Sequence, residues 1–172
     1  LRDLLVGMTL PYKDRFRMAV TMGRLARPLA RFMPRSLRPM LELVPTDLPP
    51  RQVIPTVTPA IGKRRGRVAM LAGCAQQVLA PDINASAVRV LARNGIEVVI
   101  PEGQGCCGAL AWHTGHGDQA AAFARRLIDL VPSDVDCMVT TAAGCGSAIH
   151  EYPLLLAGTE QEQAGRELAQ RS

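Results

Sequence analysis

Val68-Ala69-Met70-Leu71-Ala72-Gly73-Cys74 is a short apolar run that stops at a glycine and a cysteine. Such a run, too short for a helix and closed by a turn signal, predicts a strand buried on both faces, as in a parallel sheet. Pro81-Asp82 then opens a helix with Ile83, Ala87, Val88 and Leu91 on one face, and Asn94-Gly95 closes it. Ile96 to Ile100 is a second strand, leading into the loop Pro101-Glu102-Gly103-Gln104-Gly105-Cys106-Cys107-Gly108. Asp118 is placed to cap a helix with the apolar face Ala120, Phe123, Leu127 and Leu130, which stops at Pro132. Cys137 to Thr141 is a third strand, and Ala142-Ala143-Gly144-Cys145-Gly146 is the loop after it. Ser147 begins a last helical segment that Pro153 ends or kinks. With right-handed crossovers this order predicts an α/β fold, a three-layer βαβαβα half-unit with a parallel sheet over residues 67–158.

The rest of the chain differs in composition. Residues 1–67 hold 14 Lys or Arg against 4 Asp or Glu, a net +10, whereas residues 68–172 hold 6 against 11, a net −5. Nine of the 13 prolines precede residue 67. Residues 1–66 therefore read as a basic helical leader and a Pro-rich linker, and residues 159–172 as a polar tail at the start of a further segment. In the leader, Met8, Tyr12, Phe16, Ala19 and Met22 or Gly23 recur at helical spacing, with Pro28, Pro34 and Pro39 as breaks. Five prolines between Pro45 and Pro59 make an extended linker, followed by the basic cluster Lys63, Arg64, Arg65 and Arg67.

Basic charge of this kind suits an anionic membrane surface, an acidic partner protein or nucleic acid, or is simply a solvated face. Nucleic acid is disfavoured, because no aromatic stacking platform accompanies the charge. No stretch approaches the roughly 18 to 20 apolar residues of a membrane-spanning helix, and no secretory signal is visible. Leu1 in place of a starting Met makes the chain read as a fragment.

Cys74, Cys106, Cys107 and Cys145 all fall just after predicted strands, at the carboxyl ends of a parallel sheet, where ligands bind in open α/β folds. Each is flanked by glycine, which lets backbone approach a bound group closely and leaves amides free to hydrogen-bond sulfur. Inert core cysteines, the plain alternative, have no need of that. Cys137, at the start of its strand and so at the opposite end of the sheet, reads as a small buried hydrophobe. A structural zinc usually draws on Cys-x-x-Cys pairs, which are absent. Adjacent Cys106 and Cys107 suit a multinuclear iron–sulfur cluster or a redox-thiol site better.

Met70-Leu71-Ala72-Gly73-Cys74-Ala75-Gln76, Gly105-Cys106-Cys107-Gly108-Ala109 and Thr141-Ala142-Ala143-Gly144-Cys145-Gly146 together resemble the cysteine-rich CCG domain. That domain recurs in heterodisulfide reductases, anaerobic glycerol-3-phosphate dehydrogenase and lactate- and glycolate-oxidising complexes; the resemblance is strongest to the iron–sulfur subunits of the glycolate-oxidising kind. It implies an oxidoreductase complex that is cytoplasmic and peripheral on the inner membrane, oxidising glycolate to glyoxylate. Its flavin-containing dehydrogenase subunits carry FAD, and the iron–sulfur subunit passes electrons toward quinone. It further implies that Cys74, Cys106, Cys107 and Cys145 bind an iron–sulfur cluster of the 4Fe–4S type, with no catalytic residue on this chain. The family's full pattern ends in Cys-x-x-Cys, which would place a further cysteine at Ala142, and its N-terminal ferredoxin-like domain and second CCG repeat have no counterpart here, so the chain resembles the middle of such a subunit. A lactate-oxidising subunit, a heterodisulfide-reductase-type thiol module and a metal-stabilised docking module without redox function are the alternatives. His113 and His116 follow the double cysteine closely, but hydrogen bonding within the loop or at a helix start is their plainer role. Trp112 reads as packing, and Glu151, next to His150, as a partner for a cation on another subunit.

Overall fold

The computed structural model describes residues 4–34 and 38–172, so leader positions 1–3 and 35–37 lie outside the described residues. Its N-terminal part comprises a π-helical turn Leu4–Thr9, helix α1 (Lys13–Ala26), a 3₁₀ turn Arg27–Phe32 and the short helix α2 (Arg38–Glu42). There follow strands β1 (Val57–Thr58) and β2 (Gly66–Leu71), helices α3 (Gln76–Leu79) and α4 (Pro81–Arg93), and strand β3 (Ile96–Val99). The chain continues through α5 (Ala109–His113), α6 (Gly117–Leu130), β4 (Cys137–Thr140), α7 (Ala143–His150), α8 (Tyr152–Leu155) and α9 (Glu162–Gln170).

The sheet has the order β1-β3-β2-β4. Strand β2 pairs in parallel with β3 (Val68 opposite Val98) and with β4 (Ala69 opposite Met138). Because β2 is flanked on both sides, alternate side chains enter different cores. Val68 and Met70 pack with Val88 and Val98 under α4, whereas Leu71 packs with Leu127, Ile149, Tyr152 and Leu156. Helices thus cover both faces, and the α/β, three-layer expectation holds. The chain leaves β2 toward β3 and returns past it to β4, so its direction reverses at the carboxyl end of β2, the switch point at which such folds open a crevice.

Several local expectations are corrected. The Pro-rich stretch is not wholly a linker: Val57 and Thr58 add a fourth strand, antiparallel to β3 (Val57 opposite Val99), and Ile100 N–H donates to Thr56 O at 2.7 Å. Pro55 and Pro59 flank it without cost because it lies on the sheet edge. Asp118 is not a cap; α6 begins at Gly117, and Asp118 sits in the first turn, where its charge complements the helix dipole. The stretch read as a polar tail contains α9, whose Leu168 and Ala169 are buried, and Met138 N–H beside it donates to Arg171 O at 2.7 Å. Polar residues dominate the pattern there and hide an amphipathic helix of little more than two turns.

The leader packs onto the domain. Gln119 Nε2 donates to Gly7 O at 2.7 Å, and the Tyr12 and Phe123 rings meet edge to face at 6.2 Å. Its expected helix face is also shifted: Met8 and Tyr12 precede α1, Met22 is exposed, and Val20 is the residue buried.

Candidate functional site

The four glycine-flanked cysteines converge at the switch point. Cys74 follows β2 after Gly73, whose φ of +69° turns the chain out of the strand. Its Sγ lies 3.6 Å from Cys106 Sγ. Cys106 and Cys107 end the long loop after β3 and are both buried. Cys145 comes from the other side of β2. Its flanking glycines predict a loop, yet it lies in the first turn of α7, because Cys145 and Gly146 N–H both turn back to Ala142 O. The two glycines weaken that turn by about 1 kcal/mol each relative to alanine, and burial of Ala148 and Ile149 one turn later offsets the loss. Cys137 stays apart at the start of β4, packed against the Val68–Met70 core as a small hydrophobe.

The sulfurs form a chain of contacts, Cys74 to Cys106 to Cys107 to Cys145. The hydrogen bond to Cys106, then burial, pushes the Cys74 thiol far above its ordinary value. Cys106 is pushed up to about 11 by its bond to Cys107 and by burial, which outweigh the lowering effect of Cys74. Cys107 is lowered by Cys106, but Cys145 and burial more than reverse this and push it up to about 12. Cys145 is lowered, first by the bond from Cys107. The Gly108 amide also donates to Cys106 Sγ at 3.3 Å. Neighbours and burial thus hold three of the four thiols protonated, a balance that a cationic centre would reverse.

Two buried amides that sequence patterning does not single out hold this end of the sheet. Gln104 accepts from Ala72 N–H at 2.7 Å and donates to Met70 O and Pro101 O, clamping the double-cysteine loop onto β2. Asn84 donates to Ala72 O at 2.7 Å and accepts from Gln76 Nε2 and Thr141 Oγ1, each at 2.9 Å. Gln76 and Thr141 also bond each other directly, so the segments after β2 and β4 are joined. One signal is available for Asn84: it stands at helical spacing with Val88 and Leu91, on the buried face. Gln104→Ala removes the side-chain partner of Ala72 N–H, Met70 O and Pro101 O, and we expect a loss of about 2–4 kcal/mol. Chemical unfolding of the variant beside the parent chain measures it; a loss below about 1 kcal/mol would show that the clamp is dispensable.

The histidines stay peripheral. His113 and His150 are exposed, and His116 Nδ1 shares a hydrogen bond with Thr114 Oγ1 at 3.1 Å. Trp112 and Glu151, each read from the sequence on its own, pair with each other: the indole N–H donates to Glu151 Oε2 at 2.5 Å. Among the described residues, no three His, Cys, Asp or Glu side chains are arranged to hold a metal ion. With Cys106 and Cys107 adjacent in the chain and each also in contact with a further thiol, Cys74 and Cys145 respectively, the donor set fits a polynuclear, sulfur-ligated group rather than a single ion.

A glycine-lined group of thiols at the switch point of a parallel sheet marks a cysteine-rich domain. Residues 68–150 match the cysteine-rich domain family named CCG, and this part of the chain belongs to it. The chain is 39% identical over 125 residues to the glycolate oxidase iron-sulfur subunit of Escherichia coli (strain K12), covering 70% of this chain and 30% of that protein. It is 32% identical over 161 residues to a probable glycolate oxidase iron-sulfur subunit of Bacillus subtilis (strain 168), covering 85% and 36%. Lactate utilization protein A of Bacillus cytotoxicus is 31% identical over 87 residues, covering 51% and 36%. The chain thus spans about a third of the length of these curated relatives. No solved structure matches it.

Proposed function

We propose that this chain is part of the iron–sulfur subunit of a complex that oxidises glycolate to glyoxylate, and that Cys74, Cys106, Cys107 and Cys145 hold a cluster of the 4Fe–4S type. The convergence of four glycine-flanked thiols at one sheet edge, Cys106 and Cys107 buried and Cys74 and Cys145 half-buried, carries this reading, and the names of the relatives support it. A bound cluster supplies one-electron transfer. The chain's residues supply the rest: thiols as ligands, the Gly108 amide as a donor to sulfur, and the apolar wall of Leu127, Ile149 and Tyr152 that keeps water from the site. Hydride removal from glycolate belongs to flavin-containing subunits carrying FAD, with quinone as the onward acceptor and the complex peripheral on the inner membrane. Lactate is the second reading for the substrate, favoured by the lactate utilization relatives.

Iron, zinc and acid-labile sulfide, measured with an EPR spectrum after anaerobic purification, test this. The expected result is iron and sulfide in similar amounts, with Cys107→Ser losing both. Zinc alone, or iron content unchanged by Cys107→Ser, would overturn the ligand assignment.

A further inference from the structure

Helix α1 is apolar on two opposite faces. Phe16, Ala19, Val20 and Gly23 turn inward, where Gly23 packs against Val44 of the segment after α2. On the opposite side Met18, Met22 and Leu25 follow one another at steps of four and three, and Leu29 and Phe32 continue the line through the 3₁₀ turn. These five side chains are between 57% and 76% exposed. A helix with two apolar faces is one that is covered on both.

The charge around the stripe says what covers it. From Lys13 to Phe32 there are six basic residues and one acid, Asp14, which is already paired with Arg51 at 2.9 Å. Arg24 and Arg27 have no acidic partner among the described residues and line an open groove with Pro28, Pro45 and Thr46 beside the stripe. Arg31 lies over the Phe32 ring at 4.7 Å, its charge next to the apolar line. A second copy of this chain paired through the same face would bring arginine against arginine, so the cover complementary to this charge is anionic. Unpaired arginines flanking a row of Met, Leu and Phe are what an interfacial helix presents, with apolar side chains among the acyl chains and guanidinium groups at the phosphates.

We propose that the outer face of α1 and its 3₁₀ extension is a membrane-docking surface for anionic phospholipid. Met18, Met22, Leu25, Leu29 and Phe32 enter the bilayer interface, and Arg24, Arg27 and Arg31 bind headgroup phosphates. The proposal deepens the peripheral location given above and rests on it, but not on the cluster.

Sedimentation of the 172-residue chain with vesicles tests it. Vesicles of phosphatidylglycerol and phosphatidylcholine should retain the chain about tenfold more tightly than phosphatidylcholine alone, with the difference lost at high salt. The double variant Leu25→Glu, Leu29→Glu should bind at least about tenfold more weakly, with unchanged circular dichroism. Val90→Glu, at an equally exposed position on α4, should bind as the parent does. A double variant that binds like the parent would overturn the surface assignment. A parent chain that ignores anionic vesicles would overturn the lipid itself and leave an acidic partner protein as the cover. Iron content of the same samples, read separately, reports on the cluster whatever the vesicles show.

Discussion

Gly108→Ala is expected to destabilise the domain by about 3 kcal/mol or more, a large part of the roughly 5–15 kcal/mol that holds a typical domain together. Two independent costs combine. Gly108 has φ +88°, a left-handed conformation that costs a residue with a Cβ about 1–2 kcal/mol. The added Cβ would also stand 2.9 Å from Ala120 O and 3.3 Å from Ala120 Cα. Those are backbone atoms of α6, held by the ladder and by burial of Ala120 itself, so they cannot move aside as a flexible side chain does. Either α5 lifts, taking Cys107 with it, or α6 shifts against the sheet. Gly115→Ala supplies the comparison: its φ is +85°, yet nothing lies within 4 Å of the new Cβ. Thermal or urea unfolding of the two variants separates conformational strain from contact, and equal losses at both positions would remove the contact argument. A glycine beside the double cysteine thus sets how closely the sulfur loop approaches α6.

The parts of this architecture visible in the sequence are those where local pattern and burial agree. Val68–Leu71 is a wholly apolar run because neighbours bury it on both faces, Val98, Val99 and Met138 are the buried positions of the two strands beside it, and punctuating glycines and prolines mark the ends of all three. The meeting of Cys74, Cys106, Cys107 and Cys145 follows from topology alone, since loops after parallel strands must share one edge. Helix α7 starts earlier than its sequence suggests because two glycines in Gly144-Cys145-Gly146 argue locally for a loop, whereas Ile149 and Ala148, buried beneath, pull the turn into a helix. Strand β1 is too short and too proline-bound to show a period; β3 templates it from across the edge. Gln104 and Asn84 escape notice for a different reason. A buried amide is chosen for three-dimensional neighbours, here the backbone of residues 70–72 and Pro101, that no sequence window contains.

Tyr152 shows how far the thiol site depends on the core behind it, and Tyr152→Ala is expected to cost about 4 kcal/mol. The ring is fully buried in the cluster formed by Leu71, Leu127, Ile149, Leu156 and Leu168. Its hydroxyl donates to Cys107 O at 2.7 Å. Burial, and then the neighbouring thiols, push its pKa well above the ordinary tyrosine value, so it remains a donor. Removing the ring opens a cavity lined by leucines that the sheet cannot close, because Gly165 of α9 already packs against Leu156 and Tyr152. Tyr152→Phe keeps the ring and removes the donor alone. It leaves one buried carbonyl unpaired and should cost about 1–2 kcal/mol. The difference between the two variants, read from unfolding midpoints at constant slope, apportions the residue between filling the core and holding the Cys107 backbone. If Tyr152→Phe matches the parent chain while Tyr152→Ala loses the full amount, the hydroxyl does not hold the loop, and Cys107 is positioned by Gly108 and Gln104 instead. If Tyr152→Phe alone accounts for most of the loss, the hydrogen bond to the double-cysteine loop is the principal tie between the thiol site and the helices behind it.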